Sequence, residues 1–222
     1  MQKLVQGLHQ FQSQVFRAHQ ELFERLDKGQ SPETLFITCS DSRINPNLIT
    51  QTGPGELFIL RNVGNLVPRY DEHVGSTAAA IEFAVAALQV KDIVICGHSN
   101  CGAMQAVLDP ASLEKLPATR EWLAHAQETG TIIRENYGHL EGKDRLHATV
   151  EENVLVQLEH LRTHPTVAQA MDAGNLRVHG WVYKIQTGEV FAYDPIQAQF
   201  ASLSGEALPI LDEAHRSSDL SI

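Results

Sequence analysis

Two short runs rich in branched apolar residues, LFITC (35 to 39) and DIVIC (92 to 96), each break off at a polar turn that carries a thiol or an imidazole. Such runs predict strands buried on both faces of a parallel sheet. ELFILR (56 to 61) is a third candidate strand. Parallel neighbours need a crossover, and Gly75 to Val90, GSTAAAIEFAVAALQV, supplies small and apolar residues at helical spacing for one. The expected order is strand, strand, helix, strand. Residues 101 to 163 read as mostly helical and end in an amphipathic stripe of Leu146, Val150, Val154, Leu158 and Leu161. In RVHGWVYKIQTGEVFAYD, Arg177 to Asp194, a TG pair separates two runs rich in Val, Tyr, Trp and Phe, which predicts a hairpin.

With 222 residues, 43% hydrophobic and 20% charged, the chain fits one α/β domain over 1–222 with a sizeable core. A net charge of -10 and the lack of any basic run argue against a nucleic-acid or anionic-membrane partner. No run of eighteen apolar residues occurs, and MQKLVQGLHQFQSQVF lacks a continuous hydrophobic signal segment, so a soluble, cytoplasmic protein is expected. Residues 1–30 read as a helical arm with a narrow stripe of Leu4, Leu8, Phe11, Val15, Leu22 and Leu26. That stripe must pack on its own domain or on a partner subunit. Residues 205–222 read as a frayed tail or a docking peptide.

CSDSR (39 to 43) leaves the first run, and CGHSNCG (96 to 102) leaves the second. His98 and Cys101, three residues apart across a tight turn, can converge on one ion, and Cys39 arrives from a different strand at the same carboxyl edge. Two sulfurs and one imidazole suit Zn2+ and leave one tetrahedral position open, as a catalytic site requires. The bland alternative is a pair of buried thiols and a surface histidine. Asp41 and Arg43 stand two and four residues past Cys39, so an extended exit would send all three side chains one way. Arg43 would keep Asp41 ionised and oriented; unpaired, Asp41 could swing onto the metal as a fourth ligand and close the site. The competing reading of that pair is a local salt bridge. Cys96 reads as a buried core thiol. His73 and His179 are candidates for proton transfer, and His9, His19, His125 and His160 for surface or packing roles.

CSDSR, RNVGNLVP (61 to 68) and GHSNCGA (97 to 103), in this order and spacing, resemble the signature of the β-class carbonic anhydrases, most closely the bacterial branch with cyanate-operon and carboxysomal enzymes. The resemblance extends from the amino-terminal helices through HGWVY. It implies a mostly parallel central sheet with an antiparallel edge, flanked by helices, and an amino-terminal arm that wraps a neighbour in a homodimer or a dimer of dimers. It implies reversible hydration of CO2 to bicarbonate and a proton by attack of zinc-activated hydroxide, with one Zn2+ on Cys39, His98 and Cys101 beside the Asp41 and Arg43 dyad. Gln30, Phe58, Val63, Phe83 and Gly102 would surround CO2; many members carry Tyr at the position of Phe83. Phe36 and Thr38 stand where members with an inhibitory bicarbonate site carry Trp and Gly, which implies that this site is lacking. A carboxysome or a cyanate-metabolism partner is left open. Two further readings stay in play: a COS or CS2 hydrolase on the same scaffold, and a non-catalytic zinc-bearing scaffold subunit.

Overall fold

Six strands form one sheet in the order β2-β1-β3-β4-β5-β6, the central ones filled by branched apolar side chains: β1 (Thr34–Cys39), β2 (Leu57–Asn62), β3 (Asp92–His98), β4 (Arg177–Tyr183), β5 (Val190–Asp194) and β6 (Gln199–Ser202). The computed structural model describes residues 1–70 and 75–203, so His73 and the expected tail at 205–222 lie outside the described residues. The first four strands are parallel neighbours, and β5 and β6 add antiparallel. The expected hairpin is β4 and β5, with Gly188 taking the positive φ of 78° that its turn needs. The sequence does not predict β6, because QFAS is only four residues long and half polar.

The helices are α1 (Gln2–Gln10), α2 (Phe16–Ala18), α3 (Gln20–Leu26), α4 (Pro46–Thr50), α5 (Ser76–Glu82), α6 (Gly102–Leu108), α7 (Pro117–Trp122), α8 (Gln127–Asn136), α9 (Gly142–Arg162) and α10 (Pro165–Asp172). The crossover expected over 75 to 90 is α5 continued by a π-helical turn, Phe83–Ala87. α4, absent from the sequence reading, is only five residues long; Pro46 opens it and the Asn45 side chain accepts from the Leu48 N–H at 3.3 Å. No helix among the described residues is long and apolar enough to cross a membrane.

One face of the sheet carries the main core. Leu35, Ile37, Ile93, Ile95, Val178 and Val182 point to Ile81, Met104, Val150, Val154, Leu158 and Leu161 on the covering helices. The expected stripe of α9 is thus the layer laid on the sheet. It lies close because glycines face it: a Cβ at Gly180 would stand 2.9 Å from both Leu158 Cδ1 and Val154 Cγ1, and one at Gly97 2.9 Å from Val154 Cγ2. Among the described residues, the other face holds a small cluster around Phe36, Val94 and Cys96, with an open groove of about 440 Å³ beside it.

Among the described residues, the arm packs on its own chain only near its end, where Leu26 lies against Gly55. None of the residues in α1, α2 or α3 is buried, and Leu4 remains 70% exposed. Its aromatic residues stack on one another, Phe16 over Phe23 at 5.2 Å.

Gly180→Val should overpack the interface of α9 with the sheet and cost about 1–3 kcal/mol. Urea unfolding measures this; an unchanged midpoint would show that α9 is free to move away.

Candidate metal centre

β1 and β3 are hydrogen-bonded parallel neighbours, so their carboxyl ends lie side by side. Cys39 ends β1 and His98 ends β3. The chain then reverses through Asn100, at φ 56°, and delivers Cys101 to the N-cap of α6. The ligating atoms of Cys39, His98 and Cys101 all lie within 4.8 Å of one another, and all three residues are buried. His98 Nδ1 meets the Ser99 carbonyl at 3.0 Å, a bond only an N–H can make, which leaves Nε2 with a lone pair. Nε2 is buried without a hydrogen-bond partner. A buried, unsatisfied nitrogen beside two sulfurs is costly unless a cation completes it. The donor set therefore fits zinc, with one position left for a non-protein ligand.

The two thiols also share charge. Cys39 is held down to about 4, first because the Cys101 thiol donates to it; His98, the Gly64 N–H at 3.4 Å and the Asp41 backbone help, against burial. Cys101 is pushed up by making that bond, then by burial and by the Cys39 charge, while the Met104 and Ala103 N–H groups oppose. Cys96 lies on the other sheet face, where burial pushes it up to about 12, in keeping with a core thiol.

Asp41 and Arg43 do come together, though not by an extended exit. The backbone turns, with Ile44 N–H bonded to the Asp41 carbonyl at 3.2 Å, and Asp41 Oδ1 accepts from the Arg43 N–H at 2.9 Å. A carboxylate that caps its own turn outcompetes strand geometry here. Arg43 then grips it with Nε on Oδ1 at 2.9 Å and Nη2 on Oδ2 at 2.7 Å, and Nη2 also reaches the Asn100 carbonyl at 3.1 Å. The Arg43 side chain, then its backbone N–H and His98, hold the Asp41 carboxyl well below the usual carboxylate range, against burial. Oδ2 stands 3.8 Å from His98 Nε2, beside the ligand set.

Arg61, quoted in the sequence motif but given no role, fixes this turn from β2. Its Nε and Nη2 donate to the Cys39 carbonyl at 3.1 and 2.9 Å, and Nη2 to the Asp41 carbonyl at 2.7 Å. Its place at the head of RNVGNLVP was the sequence signal; the register that pairs Arg61 with Thr38 supplies the role.

The expected CO2 residues fall into two groups. Val63 is 41% exposed and precedes Gly64, while Gly102 follows Cys101 and has open space beyond its Cα. Phe58 and Phe83 face each other at 6.0 Å, but Phe58 is the partner of Leu35, four residues or about 13 Å of strand before Cys39. Gln30 is exposed in the segment that precedes β1, at the far edge of the sheet. One chain does not bring these three to the Cys39 end. His179, expected as a proton-transfer candidate, bonds Asp92 Oδ1 at 2.8 Å at the start of β3, about 20 Å of strand from His98. It is a buried partner of Asp92, not a neighbour of the centre. His160 is likewise buried, between the Val67 carbonyl and Glu128.

The profile of the carbonic anhydrase family matches residues 34–190. The chain is 47% identical over 203 residues to a carbonic anhydrase of Synechocystis, covering 91% of this chain and 74% of that one. It superposes on the solved β-carbonic anhydrase CcaA with a TM-score of 0.92 at 45% identity, over 96% of this chain and 95% of the other. A tetrameric β-carbonic anhydrase from Sordaria macrospora superposes with a TM-score of 0.78 at 30% identity, over 86% and 95%. The chain thus has close counterparts in both sequence and fold. The chain belongs to the β-class carbonic anhydrases, an enzyme family.

The Cys39 proton should leave as pH rises through about 4 and stay off at neutrality, where Cys101 and Cys96 remain protonated. Ultraviolet titration of metal-free protein should show one thiolate per chain at neutral pH, lost in Cys39→Ser. Two thiolates, or none, would contradict the shared-proton arrangement.

Proposed function

We propose that this chain hydrates CO2 reversibly to bicarbonate and a proton, with Cys39, His98 and Cys101 as the ligands of a zinc ion. The observation that carries this reading is the unpartnered His98 Nε2, buried between two thiols and 3.8 Å from an ionised carboxylate. Zinc held there supplies a Lewis acid that makes water nucleophilic near neutral pH.

The residues around it do the rest. Asp41, ionised and aimed by Arg43, accepts a hydrogen from the water and so turns its oxygen lone pair toward the carbon of CO2. Arg43 engages both carboxylate oxygens and thereby keeps Asp41 off the ligand set. Its third bond, to the Asn100 carbonyl, ties the turn after β1 to the turn after β3, so the acceptor and the ligands move together. Val63 offers an apolar surface and Gly102 leaves room for a linear substrate.

Gln30, Phe58 and Phe83 serve the centre of a second copy in this reading. Phe83 is 48% exposed, and Gln30 follows an arm with no buried residue, so an arm laid on a neighbour carries Gln30 toward it. A homodimer or a dimer of dimers follows.

Asp41→Ala should lower CO2 hydration about a hundredfold or more while zinc stays near one per chain. Stopped-flow hydration with metal analysis on the same sample tests it. Turnover at the wild-type rate would remove Asp41 from the reaction.

A further inference from the structure

Gly64, whose N–H reaches Cys39 Sγ, lies in an irregular segment held from behind by buried polar side chains of α9. Asn153 Nδ2 donates to the Gly64 carbonyl at 3.1 Å. Gln157 Oε1 accepts from the Val67 N–H at 2.7 Å, and His160 Nδ1 donates to the Val67 carbonyl at 2.9 Å. These three follow at four- and three-residue steps, so they form one row along the helix. They are 1%, 0% and 3% exposed.

The row is also braced internally. Gln157 Nε2 donates to Asn153 Oδ1 at 3.2 Å, and Thr129 on α8 donates to the same oxygen at 3.5 Å. Buried amides in a helix otherwise packed by Val and Leu are destabilising unless their bonds are made, and here they end on the segment or on each other. The position suits glycine alone: its φ is +84°, and a Cβ there would meet Ala103 Cβ at 3.1 Å. Its amide hydrogen is thus held on the sulfur while its carbonyl is held on Asn153.

A thiolate that accepts an N–H bond donates less charge to a bound cation, and hydrogen bonds to ligating sulfurs are one of the levers that tune a metal site. We infer that Asn153 is a positioning residue for the Cys39 ligand: through Gly64 it fixes an N–H···S bond that limits how much sulfur charge the metal receives. The inference rests on the zinc reading above and assigns α9 a part in it.

Cobalt(II) in place of zinc reports sulfur charge directly, through its sulfur-to-metal charge-transfer band in the near ultraviolet. Asn153→Leu, close in volume and without a donor, should move that band to longer wavelength, because the sulfur then gives the metal more charge. Leu158→Ala, buried against Gly180 on the same helix, should lower the melting temperature and leave the band in place. Should Asn153→Leu fail to fold, Thr129→Val removes one brace of Asn153 and should shift the band the same way by less. An unmoved band in the folded Asn153 or Thr129 variant, or an equal shift in Leu158→Ala, overturns the inference while the wild-type band stands. A wild-type chain that takes up cobalt with no sulfur band overturns the metal assignment and the inference together.

Discussion

Burying two sulfurs and an imidazole against one another is unfavourable unless something shares their lone pairs, and much of this structure exists to hold them together all the same. His98 Nδ1 is committed to a backbone carbonyl, so Nε2 has nowhere else to turn. The Cys39 and Cys101 thiols are close enough to share a proton. Parallel pairing of β1 and β3 sets the distance between these groups, and the branched core on one sheet face sets the pairing. A divalent cation is the species that relieves all three groups at once.

Around this centre the backbone matters as much as the side chains. The turn after Cys39 is closed by Asp41 itself, gripped by Arg43 and fixed from the next strand by Arg61. Opposite it, Gly64 presents an N–H to the sulfur, and α9 holds Gly64 in place. The turn after Cys39 is thus tied to β2 and the Gly64 segment to α9. Both oxygens of the carboxylate are thereby engaged by Arg43, with Oδ2 3.8 Å from His98 Nε2.

The grouping of Cys39, His98 and Cys101 and the pairing of Asp41 with Arg43 were legible in part from short spacing, H-x-x-C across a turn and C-x-D-x-R at a strand end, and in part from two strands expected to end at the same sheet edge. The route by which Asp41 and Arg43 meet was not, since an Asp two residues before an N–H can close a turn that strand alternation does not foresee. The roles of Arg61, Gly64 and Asn153 were invisible for another reason. Their roles depend on the register of β2 against β1 and on the rotation of α9, and a polar residue inside an amphipathic stripe reads as a solvent face until the helix is docked. The core strands and the α9 stripe followed from hydrophobic period alone, whereas α4 and β6 are too short to show one. Family resemblance supplied Gln30, Phe58 and Phe83, which a single chain leaves at the wrong edge of the sheet.

X-ray absorption at the zinc edge of the isolated protein tests the central claim most directly. The account predicts two sulfur neighbours at about 2.3 Å, one imidazole nitrogen at about 2.0–2.1 Å and a single further light atom. A third sulfur, or fewer than two, would mean that Cys39, His98 and Cys101 are not the set that holds the metal.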